Sequence, residues 1–153
     1  MVSALVHPDA VTMRIMGAVA RALDQDMANC LEAFGESWIS FAARGSYGSF
    51  LDFLGCDLAN FISNLDRMHV SIQSAMPSAR MPSFTVIEAQ PGFISLVYGS
   101  DREGLEPFVS GLFKGLLTRF GLTGTVACVG RRNSGIQFDL AFTRHHAPPV
   151  QRQ

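Results

Sequence analysis

The chain has 153 residues, of which 48% are hydrophobic and only 16% are charged, and its net charge is −1. This length and composition predict one domain over residues 1–153, whose core needs neither disulfides nor a structural metal. The charge excludes strong electrostatic attraction to nucleic acid or to an anionic membrane, and no apolar run is long enough to cross a membrane. The three cysteines are isolated in the sequence, which favours reduced thiols in a cytoplasmic protein.

Residues 1–76 have the periodicity of helices. Helices are predicted over residues 9–23, 26–43, 50–54 and 57–75. The first of them should begin near His7-Pro8-Asp9 and carries one apolar stripe, which consists of Val11, Ile15, Val19 and Leu23.

Residues 77–144 have a different pattern, with β-rich runs separated by Pro and Gly. Strands are predicted over 83–90, 93–98, 124–130 and 136–142, and a helix over about 106–120. Pro91-Gly92 indicates a hairpin between the first two strands. Residues 145–153 form a polar, Pro-rich tail that we expect to fray. The order of helices, hairpin, helix and hairpin predicts an α+β fold.

One histidine stands out in the 57–75 helix. His69 shares an apolar stripe with Leu65 and Ile72, and Met68 precedes it. A single histidine on such a face is more often a core residue whose ring is hydrogen-bonded. A neutral imidazole can instead ligate iron and leave the opposite axial position open for a gas.

A second group follows at Tyr98, Ser100 and Arg102. These residues alternate, so on a strand all three side chains would point the same way. Two hydroxyls and a guanidinium suit a pair of carboxylates. The alternative is a strand that leaves the core, with Arg102 in solvent. A metal ligand and a carboxylate clamp in one small domain suggest haem, which has an iron and two propionates.

Pro82 can be interpreted in two ways, and the residues alone favour the simpler one, a proline that ends a helix. The other is a rigid ring that presses on a planar macrocycle and bends it, since distortion is one way in which a protein tunes haem. Other chemistries find no support, because the remaining histidines lack partners at zinc-ligand spacing and no nucleophile or phosphate-loop motif occurs.

Six motifs, in this order and spacing, resemble the haem nitric oxide/oxygen binding (H-NOX) family, the sensor domain of soluble guanylate cyclase and of bacterial relatives. They are Phe34-Gly35-Glu36-Ser37-Trp38, Gly45-x-Tyr47-Gly48, Gly55-Cys56-Asp57-Leu58-Ala59-Asn60-Phe61, Asn64-Leu65-Asp66-Arg67-Met68-His69, Pro82-Ser83-Phe84 and Tyr98-x-Ser100-x-Arg102-x-Gly104-Leu105. The resemblance extends from about His7 to the C-terminus.

The resemblance implies a fold and a set of roles. N-terminal helices should be followed by a four-stranded antiparallel sheet, with haem b (iron protoporphyrin IX) between the two parts. His69 would be the proximal iron ligand, while Tyr98, Ser100 and Arg102 would hold the propionates. Pro82 would bend the porphyrin, and Leu65 and Met68 would line the site beside His69.

Two departures from the family modify this expectation. Family members have further helices before the segment that His7-Pro8-Asp9 resembles, so either the start of this chain is misassigned or the chain is a shortened variant. A shortened variant would have a more open distal pocket and would hold haem more loosely. Oxygen-binding members place a distal tyrosine on the helix after Tyr-x-Ser-x-Arg, where this chain has Pro107 and Phe108. We therefore expect binding of nitric oxide and carbon monoxide, with weak or no oxygen binding.

The resulting hypothesis is a haem-based nitric oxide sensor, not an enzyme. Nitric oxide would weaken the bond between iron and His69 and shift the helix that carries this residue. The signal would pass to a separate histidine kinase or cyclic-di-GMP enzyme. One alternative is a haem-free interaction scaffold of the same fold, and another is a haem-dependent nitric oxide scavenger, for which the sequence offers no distal acid or base.

Overall fold

The computed structural model describes residues 9–45 and 48–144. In this part of the chain the elements are α1 (Asp9–Leu23), α2 (Met27–Arg44), α3 (Gly48–Leu54), α4 (Leu58–Ala75), β1 (Ser83–Gln90), β2 (Phe93–Gly99), α5 (Glu106–Arg119), β3 (Leu122–Arg132) and β4 (Gly135–Arg144). The predicted helix start at His7-Pro8, the Tyr47 motif position and the tail from His145 lie outside the described residues.

The four strands form one antiparallel sheet in the order β1-β2-β4-β3. The predicted α+β class and the four-stranded antiparallel sheet are therefore confirmed. Strands β3 and β4 are longer than expected, because their pairing continues as far as Arg132 opposite Gly135. Asn133 and Ser134 alone form the turn, where a five-residue connection was predicted. Polar residues can extend β3 because it is an edge strand, whose outer side faces water.

The main core lies between one face of the sheet and helices α4 and α5. Leu96, Phe138 and Leu140, on the two central strands, have no exposed surface. Phe61 from α4 and Phe113 from α5 pack against this face. Burying large side chains of this kind stabilises a fold by roughly 1.5–3 kcal/mol each.

Helices α2 and α5 approach each other at glycines. A Cβ atom added to Gly111 would lie 2.0 Å from the carbonyl oxygen of Glu32, and one added to Gly35 would lie 2.1 Å from that of Phe108. Only glycine permits this separation of the two backbones. An ion pair between Lys114 and Glu32 also joins the two helices.

The apolar stripe on α1 forms as predicted, but it faces solvent. The exposed fractions of its four side chains lie between 39%, at Val11 and Val19, and 62%, at Leu23. Helix α1 packs in a small second core through Met16 and Ala20 instead. Periodicity identifies an apolar side of a helix, but it does not identify which side meets a neighbour.

The described residues include no helix that is both long and apolar enough to span a bilayer. The three cysteines are all free, as expected; Cys30 is buried, whereas Cys56 and Cys128 are exposed.

Candidate functional site

Helix α4 carries His69 in its second half. The helix begins after Asp57, whose side chain caps it by accepting a hydrogen bond from the backbone N–H of Asn60 at 2.9 Å. Its first half is anchored by Leu58, Phe61 and Ile62, which are buried. The second half is less covered, so the expectation of a buried stripe around His69 is only partly correct. His69, Leu65 and Met68 are each half-buried.

The imidazole of His69 is oriented by the backbone. Its Nδ1 lies 3.1 Å from the carbonyl oxygen of Pro82. Because a carbonyl oxygen can only accept, Nδ1 must carry the proton, and Nε2 of a neutral ring keeps its lone pair. Burial lowers the pKa of His69, while the hydrogen bond to Pro82 and the charge of Asp66 act in the opposite direction. A metal-binding histidine typically has this kind of partner at its other ring nitrogen.

Two further contacts fix the connection from α4 to β1. Asp66 accepts a hydrogen bond from the backbone N–H of Phe84 at 2.7 Å, and Gln73 accepts one from that of Met81 at 3.1 Å. Pro82 lies between these two positions and immediately before β1. The carbonyl that orients His69 is therefore itself held between helix and strand.

Tyr98, Ser100 and Arg102 do not lie on one strand. Strand β2 ends at Gly99, so Ser100 and Arg102 belong to the loop that follows. The backbone N–H of Arg102 donates to the Ser100 hydroxyl at 3.1 Å, which turns the chain locally. Tyr98 is buried, and burial raises the pKa of its phenol, whereas a hydrogen bond with the Ser100 side chain lowers it.

The three side chains nevertheless line one cavity of about 370 Å³. A second cavity of about 370 Å³ shares Asp101, Arg102 and Glu103 with the first. The remaining lining residues of this second cavity are apolar: Met13, Leu31, Phe34, Leu105 and Phe108. Arg102 thus borders a polar space on one side and an apolar space on the other. That arrangement suits a ligand with an apolar body and carboxylate groups.

His69 and Tyr98 lie at the same end of the β1–β2 ladder. The ring of Phe84 lies between them, with its centroid 5.9 Å from that of His69 and 5.6 Å from that of Tyr98. Phe84 and Tyr98 are also register partners. His69 is not among the lining residues of either cavity, so the structure brings the two predicted groups to one end of the sheet without placing them in one pocket.

The roles of Asp66, Arg80 and Phe84 were not predicted from the sequence. Arg80, in the loop before Pro82, forms an ion pair with Asp101 at 2.7 Å and so joins the His69 region to the loop of Ser100 and Arg102. No spacing in the sequence relates residues 80 and 101, because the contact depends on how the loops pack. The position of Asp66, three residues before His69 on a helix, was the one available signal.

The fold is that of solved H-NOX proteins. An H-NOX protein from S. oneidensis in the Fe(II)NO ligation state superimposes with a TM-score of 0.76 at 18% identity, over 94% of this chain and 80% of that chain. An oxygen-binding H-NOX domain related to soluble guanylate cyclases gives a TM-score of 0.76 at 19% identity, over 94% of this chain and 77% of that chain. At such identities the likeness defines the fold class alone.

The family follows from the sequence comparison. Residues 2–128 match the family model described as Haem-NO-binding, so the chain belongs to this family of haem-based gas-sensor domains, and the expected resemblance is confirmed. The soluble subunit beta-2 of guanylate cyclase from Rattus norvegicus is 36% identical over 90 residues, which are 59% of this chain and 13% of that protein. Soluble guanylate cyclase gcy-35 from Caenorhabditis elegans is 27% identical over 141 residues, 91% of this chain and 20% of that protein. The chain therefore spans a fifth or less of these two relatives, and the match is to a sensor domain.

The residues present fit a haem group in their chemistry. A half-buried imidazole with an oriented Nδ1–H suits an axial ligand, and Tyr98, Ser100 and Arg102 offer donors to carboxylates. In the described part of the chain no cluster of three or more His, Cys, Asp or Glu side chains could hold a metal ion. A porphyrin iron needs only one such ligand from the protein.

Proposed function

We propose that this protein is a cytoplasmic sensor of nitric oxide that holds haem b through His69 and signals to a separate enzyme. The observation that supports this most is the hydrogen bond between Nδ1 of His69 and Pro82, which prepares Nε2 as an axial ligand. When bound, haem would supply a ferrous iron with an axial position open to a diatomic gas. Tyr98, Ser100 and Arg102 would hold its propionates, with Leu65 and Met68 beside the ring.

The apolar lining of the second cavity, which includes Phe34 and Phe108, supports nitric oxide as the gas that the protein senses. Phe108 and Phe34 stack there with ring centroids 5.4 Å apart. The chain has two tyrosines, Tyr47 and Tyr98, neither of which follows the Tyr-x-Ser-x-Arg motif. Bound oxygen needs a polar distal donor, whereas nitric oxide and carbon monoxide do not. We therefore expect nitric oxide and carbon monoxide to bind the reduced protein and oxygen to bind weakly.

The contacts around His69 offer a route for the signal. A movement of the imidazole would pull on the Pro82 carbonyl, which precedes β1, and on the α4 turn that Asp66 attaches to Phe84. Arg80 would pass the same displacement to Asp101 in the loop after β2. Such a ligand-dependent shift between two arrangements could change the surface that a histidine kinase or a cyclic-di-GMP enzyme contacts.

The direct test is the absorption spectrum of the purified, haem-reconstituted protein after reduction. We expect a Soret band that shifts on addition of nitric oxide and of carbon monoxide, and little change under oxygen before the iron oxidises. A Soret band that does not respond to nitric oxide would contradict the sensor proposal.

One observation favours a second candidate, a haem-free interaction scaffold. The aromatic side chains of Trp38 and Phe41 on α2 stack with centroids 5.6 Å apart, yet they are exposed by 43% and 67%. Exposed aromatic groups of this kind are typical of surfaces that bind other proteins. A protein that shows no Soret band after reconstitution with haem would favour this alternative.

A further inference from the structure

The β3–β4 hairpin lies against the loop that carries Ser100 and Arg102. A Cβ atom added to Gly135 would lie 2.1 Å from the carbonyl oxygen of Tyr98, and one added to Gly99 would lie 3.3 Å from that of Ser134. The turn is therefore fixed against the end of β2. Arg131 and Arg132, which precede the turn, line the same cavity as Tyr98, Ser100 and Arg102.

The sheet register separates these two arginines. Ile136 is the partner of Tyr98 on one side and of Arg131 on the other. Directly paired residues on neighbouring strands present their side chains to the same face. Because Tyr98 belongs to the main core and Ile136 packs against it, Arg131 lies on this inner face as well.

Arg132 lies on the opposite face. Its Nη1 donates to Oε1 of Gln137 at 3.0 Å, and Gln137 in turn donates to Ser95 and Asp139 at 3.1 Å and 3.0 Å. Residues alternate between faces along a strand, which places Arg131 and Arg132 on different sides of the sheet. Arg131 and Arg132 are neighbours in sequence and equal in charge, but their side chains lie on opposite faces of the sheet.

We infer that Arg131 is a second guanidinium, beside Arg102, for the carboxylates of a ligand bound at Tyr98 and Ser100. The inference rests on the proposed function, in which those carboxylates are the haem propionates. Two strand spacings, about 10 Å, separate the backbones of Tyr98 and Arg131. A long arginine side chain on the same face can cover much of that distance and bind a carboxylate in bidentate fashion.

The charged groups around the cavity are balanced in number, so the removal of Arg131 should measurably weaken the binding of an anionic ligand. The lining includes three guanidinium groups and the carboxylates of Asp101, Glu103 and Glu106. Asp101 forms an ion pair with Arg80 at 2.7 Å. The negative charge of Glu106 is one of the causes that raise the pKa of Tyr98. Loss of Arg131 would leave two guanidinium groups and three carboxylates around the cavity, so the lining would be net negative and would disfavour a dianionic ligand.

The test compares Arg131→Gln with Arg144→Gln, which change the net charge equally. Arg144 lies at the other end of β4, opposite Leu122, and does not line the cavity. The rate at which each holoprotein transfers haem to an excess of apomyoglobin is measured beside the unaltered chain. The measurement is repeated with iron protoporphyrin IX dimethyl ester, whose carboxylates carry no charge. We expect Arg131→Gln to lose haem about 3- to 10-fold faster, Arg144→Gln to match the unaltered chain, and the ester to abolish the difference.

Two results would overturn the inference while the proposed function stands. One is equal haem loss from the two variants, and the other is faster loss from Arg131→Gln with the ester as well, which would indicate a structural defect. If the unaltered chain does not retain haem, the proposed function fails together with the inference. The three results are distinguishable from the same set of transfer curves.

Discussion

Apolar side chains are enclosed in the sheet half of the molecule, whereas several on its first two helices are exposed. On the central strands Leu96, Phe138 and Leu140 are fully enclosed, whereas on α1 and α2 Ile15, Leu23 and Phe41 are more than half exposed. The sheet with α4 and α5 therefore has a self-contained core, which positions His69 and Tyr98. The helices α1 and α2 present apolar surface, which is where binding of a further group would gain the most free energy.

The largest loss of stability should come from a substitution at the centre of the sheet. Phe138→Ala removes a side chain with no exposed surface, and we expect a loss of about 3–5 kcal/mol in the free energy of unfolding. Phe53→Ala, at a phenylalanine that is 86% exposed, is the matched control and should cost less than about 0.5 kcal/mol. Urea denaturation followed by circular dichroism measures both changes. Equal losses would contradict the distinction between enclosed and exposed apolar side chains.

Glycine-to-alanine substitutions compare a closely packed helix, α5, with the less covered helix α1. Gly111→Ala would place a methyl group 2.0 Å from the Glu32 carbonyl oxygen, so α2 and α5 must separate, at a cost of about 1–3 kcal/mol. Gly17→Ala on α1 meets its nearest atom at 3.6 Å and should be neutral or stabilising by up to about 1 kcal/mol. Thermal unfolding of the two variants gives the comparison. A stabilising Gly111→Ala would show that the close helix contact is not maintained in solution.

Arg102 borders both the polar and the apolar cavity, so its removal tests how the site depends on charge. We expect Arg102→Ala to weaken haem binding by roughly tenfold, about 1.4 kcal/mol, through loss of a charge-assisted contact to a propionate. The axial bond should be unaffected, so the spectrum of the haem that remains should match that of the unaltered protein. Haem titration followed by absorbance measures the affinity, and unchanged haem retention would refute the propionate role.

The local sequence pattern was sufficient to predict the helices and strands. It was not sufficient to predict which of their faces pack against neighbouring elements. The boundaries of β1 were predicted to the residue, because alternation and the Pro91-Gly92 turn are local signals. The exposed stripe on α1 and the length of β3 depend on which neighbours are present, and no local signal reports that. The same holds for the site. His69 and Tyr98 could be selected from the sequence, whereas the ion pair of Arg80 with Asp101 and the inner-face position of Arg131 depend on tertiary register.

His69 as the axial ligand of haem is the central claim, and His69→Gly tests it directly. The substitution removes the imidazole and leaves space where free imidazole can bind. We predict that the variant purifies without haem and regains both haem and the spectrum of the reduced protein when imidazole is added. A variant that keeps its native haem content and spectrum without imidazole would contradict the assignment.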